Sequence, residues 1–155
     1  MKSGPQVFRI GDTYVLIAGL KGRAEIRFSR DFALVPASSF HSQRHLMIAV
    51  IRAIRSFKSG TNISENFAYE LGICLLGIRE VSKVKEVLSR DCEEYAFVSY
   101  CRNIGDCLRY LLRTLVRGFS LSDVSPSYIP EELVSCTGNI ECLAMEKGII
   151  VELER

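Results

Sequence analysis

The stretch NISENFAYELGICLLGIREV, residues 62–81, decides how the rest of the chain reads. Wound as a helix it is apolar on nearly every face, yet it holds a carboxylate, Glu70, inside its apolar run and two glycines, and it stops at the charged pair Arg79-Glu80. A helix that is hydrophobic all round is a buried one, so this segment is expected at the centre of the domain. Asn62 reads as its N-cap, with Glu65 three residues on in the capping-box position, and the helix should reach about Leu76. An unpaired buried charge is expensive. Glu70 is therefore expected to reach solvent, an arginine or capped backbone N–H groups, in a structural rather than catalytic role.

Working outward, Leu46, Val50, Ala53, Ile54 and Phe57 recur at helical spacing and predict a helix from about His41 to Lys58. VSKVKEVLSR (81–90) predicts a shorter amphipathic helix. VFRI (7–10) and TYVLIAGL (13–20) read as a hairpin about Gly11-Asp12, and YAFVSYC (95–101) as a further strand. In RAEIRFS (23–29), Ala24, Ile26 and Phe28 alternate with charged residues, the pattern of a half-buried strand. Asn103 with Asp106 should start a helix to about Arg117, with Ile104, Leu108, Leu111 and Leu115 facing inward. Short helices are expected from Pro130-Glu131-Glu132 and over Asn139–Lys147, followed by an apolar tail, IIVEL. The fold class expected is α+β: one domain over residues 1–155, with a mixed or antiparallel sheet packed against helices.

Composition bounds the function. The 155 residues are 48% hydrophobic and 25% charged, which suits a globular chain with a real core. No apolar run reaches the roughly 18–20 residues of a membrane span. MKSGPQVFRI carries no signal-peptide core, so the expected location is cytoplasmic and no membrane is expected as partner. The net charge of +2 hides an asymmetry: residues 1–60 hold ten Lys and Arg against three Asp and Glu, and residues 61–155 hold ten against fifteen. That division hints at an anionic partner for one face. None of the six cysteines forms a C-x-x-C pair, and several sit in apolar periodic patterns, so they read as small buried hydrophobes.

Chemistry-bearing motifs are few. His41 and His45 stand i, i+4, the spacing of a zinc helix, but Ser42 occupies the position of the catalytic glutamate and no third ligand is evident; no metal is expected. There is no phosphate-binding glycine loop, dinucleotide turn or nucleophile elbow. Glu93 and Glu94 are adjacent and would point apart, a poor acid–base pair. No enzyme activity and no cofactor are expected. The predicted first helix does have a basic second face, where Arg44, Arg52, Arg55 and Lys58 lie around Ile48 and Ile51. Such a face suits phosphates with an unstacked base; its ordinary alternative is a solvated surface whose long side chains lie over apolar neighbours.

The order of pieces resembles a known family. His45-Leu46 with Ala49 and Ala53 matches an HL-x-x-A-x-x-x-A pattern, and Ile63-Ser64, Asn66, Glu70, Gly77, Arg79, Val81 and Ser82-Lys83 follow an N-x-x-x-E helix running into G-x-R-Q-I. These are features of the small tRNA-binding accessory subunits of the KEOPS (EKC) complex, the TPRKB-like family. The match covers about residues 41–90. Glu80 stands where the family has Gln, Leu76 where a small residue is usual, and the Gly-Ile that follows the short helix is missing after Leu88. The resemblance implies a non-catalytic subunit that binds the complex's small protein kinase/ATPase and recruits tRNA by its 3′ CCA end, in support of threonylcarbamoyladenosine modification carried out by another subunit. The alternative is a divergent paralogue acting as a stand-alone interaction module. The resemblance implies His45, Asn66 and Arg79 as tRNA-binding candidates, and the charge pattern adds Arg52, Arg55 and Lys83.

Overall fold

The computed structural model describes residues 4–23 and 29–126. They form an antiparallel five-stranded sheet with helices on both faces, an α+β arrangement. In chain order the elements are β1 (Gln6–Ile10), β2 (Thr13–Lys21), β3 (Phe32–Pro36), a 3₁₀ turn (Ala37–Ser39), α1 (Gln43–Ser59), α2 (Phe67–Leu76), α3 (Val81–Leu88), β4 (Glu94–Cys101), α4 (Ile104–Val116) and β5 (Ser120–Leu121). The sheet order is β1-β2-β4-β3, and β5 pairs with Leu20 and Lys21 of β2, beyond the reach of β1.

Side-chain alternation divides the central strands between two cores. Val15 and Ile17 of β2, Ala33 and Val35 of β3, and Ala96 and Val98 of β4 join α1 and α2 in one cluster. Leu16, Ala18, Leu20, Leu34, Tyr95 and Phe97 join Cys107 and Leu111 of α4 in the other. Being covered twice explains why TYVLIAGL and YAFVSYC read as continuous apolar runs rather than alternating ones. The edge strand β1 is covered once: Phe8 and Ile10 pack inward and Val7 and Arg9 are exposed.

The described residues correct the sequence reading in three places. Residues 24–28 of the strand expected over 23–29 lie outside the described residues; among the described residues there is a strand that the sequence reading missed, β3, which pairs along β4 from Phe32↔Ser99 to Pro36↔Tyr95. The central helix starts four residues later than expected. Asn66, not Asn62, is its N-cap, accepting the Ala68 N–H at 2.9 Å, while Asn62 donates to the Ser64 carbonyl in the preceding loop. On α4 the buried residues are Cys107, Leu111 and Thr114, so the inward face is centred about one position before the leucine repeat and Leu108 is 42% exposed. The two short helices and the apolar tail expected beyond residue 126 lie outside the described residues.

The opening stretch now has its explanation. α2 is buried along almost its whole length, between α1 and α3 and against the sheet. Glu70, with no exposed surface, accepts from Ser56 Oγ at 2.8 Å and from the backbone N–H groups of Ile63 and Ser64 at 2.9 and 3.0 Å. The carboxylate thus fastens the 62–66 loop to both helices and is structural, as expected. Gly72 lets α3 approach, since a Cβ there would meet Val84 Cγ1 at 2.4 Å. Gly77 ends the helix with φ +66, a left-handed conformation that favours glycine.

Among the described residues no helix is long and apolar enough to cross a membrane.

Candidate nucleic-acid interface

The candidate residues sit on a helical layer whose geometry follows from two buried contacts. His45 Nε2 lies 3.0 Å from the Leu75 carbonyl, and Ser56 Oγ bonds Glu70, so α1 and α2 run antiparallel. The knuckle 77–80 that follows α2 therefore emerges at the N-terminal end of α1, beside the His45 turn. Arg55 lies at the other end, ten residues or about 15 Å of helix away.

The outer face of α1 carries a stripe. Arg44 and Arg55 are exposed, and Ile48, Ile51 and Arg52 between them are half-buried. The spacing 44, 48, 51, 55 places these residues in one row along the helix. Lys58, at the end of the face, is drawn aside by Asp12, 2.8 Å from its Nζ. The arrangement offers fixed positive charge on either side of accessible aliphatic surface, which can meet phosphates and an unstacked base together.

Not all six candidates join it. Arg52 and Arg55 belong to the stripe. Arg79 is exposed on the knuckle. Lys83 is exposed on α3 and pairs with Glu80 at 2.9 Å. Asn66 spends its side-chain oxygen on capping α2. His45 is 1% exposed, with Nδ1 accepting the His41 backbone N–H and Nε2 at Leu75, so its ring has no surface to present to RNA; it fastens α1 to α2 instead. These two contacts occupy both ring nitrogens of His45. No cluster of three or more potential metal-ligating side chains occurs among the described residues.

Two features escaped the sequence reading. The outward side of α4 exposes Leu108, Leu112 and Val116 (42, 59 and 87%) beside a parallel row of Arg109, Arg113 and Arg117. Second, the C-terminal turn of α1, the β1–β2 turn and the end of β4 enclose a cleft of about 310 Å³. Asp12 in its wall has its carboxyl held below the usual range, chiefly by the hydrogen bond from Lys58. Tyr100 there is held neutral, its phenol pushed up mainly by burial. Burial, then a hydrogen bond with Cys107, likewise pushes the Cys101 thiol far up, so it is no nucleophile near neutral pH. Cys74, Cys92, Cys101 and Cys107 are free thiols, the first and last of them buried as expected.

No protein-family model and no curated protein matches this chain.

Proposed function

We propose that the chain is a non-catalytic, cytoplasmic RNA-recruiting subunit of the KEOPS type, binding the 3′ CCA end of tRNA and the small protein kinase/ATPase of such a complex. The observation that supports it is the Arg44–Ile48–Ile51–Arg55 stripe on α1, its arginines exposed and its isoleucines half-buried, on the segment whose motifs resemble that family. Single-stranded ends are gripped in this way: aliphatic or aromatic surface takes the bases and flanking arginines take the phosphates. The resemblance alone supplies the kinase as partner. The test compares intact tRNA with tRNA trimmed of CCA, bound to wild-type protein and to Arg55→Glu, alongside co-purification with the kinase. Loss of binding on trimming and on substitution is expected, and equal binding of trimmed and intact tRNA refutes the reading.

A second reading, a stand-alone protein-interaction module, is favoured by the apolar row on α4. Leu112→Glu would then abolish partner binding while leaving tRNA binding unchanged.

A further inference from the structure

The cleft at the end of α1 has walls of different chemistry. One is aromatic and aliphatic. Phe57 and Tyr100 stack at 6.4 Å between centroids with an interplanar angle of 29°, Tyr100 is backed by Phe67 at 4.6 Å, and Ile54 lies beside them. Phe57 and Tyr100 are only half-buried although they line the cleft, so the apolar wall is accessible to a planar ligand. The opposite wall is an acceptor. Asp12 Oδ1 takes Lys58 Nζ at 2.8 Å and Thr13 Oγ1 at 3.2 Å. It stands beside the C-terminal end of α1, where the last carbonyls carry partial negative charge. Lys58 Nζ is paired with Asp12, so the carboxylate is what this wall offers a ligand, and it suits hydroxyl or amine donors. Arg102, just past β4, is exposed and makes no ion pair or hydrogen bond among the described residues, and it is the cation left for an anion.

A flat aromatic group, paired hydroxyl donors and a phosphate are the three parts of a ribonucleotide. We propose that this cleft binds a ribonucleoside 5′-phosphate unit, with the base against Phe57 and Tyr100, the ribose hydroxyls on Asp12 and the phosphate on Arg102. The unit is a free mononucleotide, whose ribose carries a cis-diol; an RNA 3′ end is the ligand assigned to the α1 stripe. A volume of about 310 Å³ lies at the small end of the range for small-molecule pockets and has room for one nucleotide unit. The inference does not rest on the tRNA reading, because it uses none of Arg44, Arg52, Arg55 or Arg79.

The full-length protein is titrated by calorimetry with AMP, with 2′,3′-dideoxy-AMP and with inorganic phosphate. AMP should bind about tenfold or more tighter than the dideoxy analogue, the discrimination that hydrogen bonds to a charged group provide. Asp12→Ala should erase that preference and at the same time tighten inorganic phosphate, because Lys58 is released. Arg102→Glu should weaken AMP by about tenfold or more, the effect expected of a lost charge-assisted contact. Both side chains are exposed, so no more than a small drop in melting temperature is expected, for Asp12→Ala from the lost Lys58 and Thr13 contacts, and Arg102→Gln provides a milder second variant. AMP binding that a short RNA with an intact 3′ diol does not displace is the expected result; displacement that is lost after periodate oxidation of that RNA overturns the assignment to a free nucleotide. Equal affinity for AMP and its dideoxy analogue, or no loss in Arg102→Glu, overturns the proposal. Arg55→Glu separates the two readings: it should abolish tRNA binding by the α1 stripe and leave AMP binding in the cleft intact.

Discussion

Glu70 satisfies three donors at once, and replacing it measures what the carboxylate does for the helical layer. In Glu70→Leu the Ser56 hydroxyl keeps the Ala53 carbonyl at 2.8 Å, so its loss is small. The N–H groups of Ile63 and Ser64 lose their acceptor. A buried donor left unmade costs about 1–3 kcal/mol. Both residues are half-buried, so water recovers part of that, and about 2–4 kcal/mol is expected. For a chain of this size that lowers Tm by roughly 5–15 °C. Glu70→Gln behaves differently. Its carbonyl can accept both N–H groups while one amide N–H donates to Ser56 Oγ, leaving only the second amide N–H without one of these partners and a cost of about 1–2 kcal/mol. Urea titration provides the assay, with an unchanged slope certifying that stability alone has moved. Equal losses for Leu and Gln, or a loss in Leu below about 1 kcal/mol, refute the assigned role.

Binding of tRNA to the wild type should fall with salt at a slope of about −0.7 per phosphate neutralised, and Arg79→Glu should weaken it without lowering Tm, as checked by filter binding and calorimetry. Glu80→Gln should release Lys83 and strengthen tRNA binding by a small factor, a few-fold at most for an exposed pair. Gly72→Ala should destabilise the protein by about 1–3 kcal/mol in chemical denaturation, because the added methyl strikes Val84 on α3. Alkylation of Cys101 should stay slow from pH 7 to 9, below its raised pKa, and rise only in stronger alkali, whereas a thiol of ordinary pKa would accelerate through that window; mass spectrometry of the labelled peptide decides.

The pieces that sequence revealed were those fixed by their own periodicity. α1, α3 and β4 lie close to where the apolar spacing puts them, and the burial of α2 follows from its composition. The start of α2 was hidden because Glu70 reaches back to Ile63 and Ser64 and holds those residues in a loop, a tertiary contact that overrides the capping-box pattern at Asn62. β3 was hidden because five apolar residues ending in proline become a strand only beside β4, some sixty residues away. The basic stripe on α1 was legible because one helix carries it all. His45 was misjudged for the opposite reason: a histidine near a helix start gives no sign that both nitrogens are spent on Leu75 and His41. The cleft could not be read at all, since Asp12 and Arg102 meet only when β2 and β4 pair.

That pairing also governs how the chain must fold. β2 joins β4 in register from Tyr14↔Cys101 to Lys21↔Glu94, so the central ladder closes a loop of roughly eighty residues. Closing it costs about 2 kcal/mol more conformational entropy than a ten-residue loop. The three helices between the strands pack mostly on near neighbours and can assemble first. During synthesis β2 leaves the ribosome long before β4 exists, with only β1 as a sheet partner and both apolar faces open to water. The helical layer formed by α1 and α2 then shields one of those faces, and the arrival of β4 completes the sheet. Slow refolding is expected to track the β2–β4 ladder rather than the helices, in keeping with the cost of long-range strand pairing.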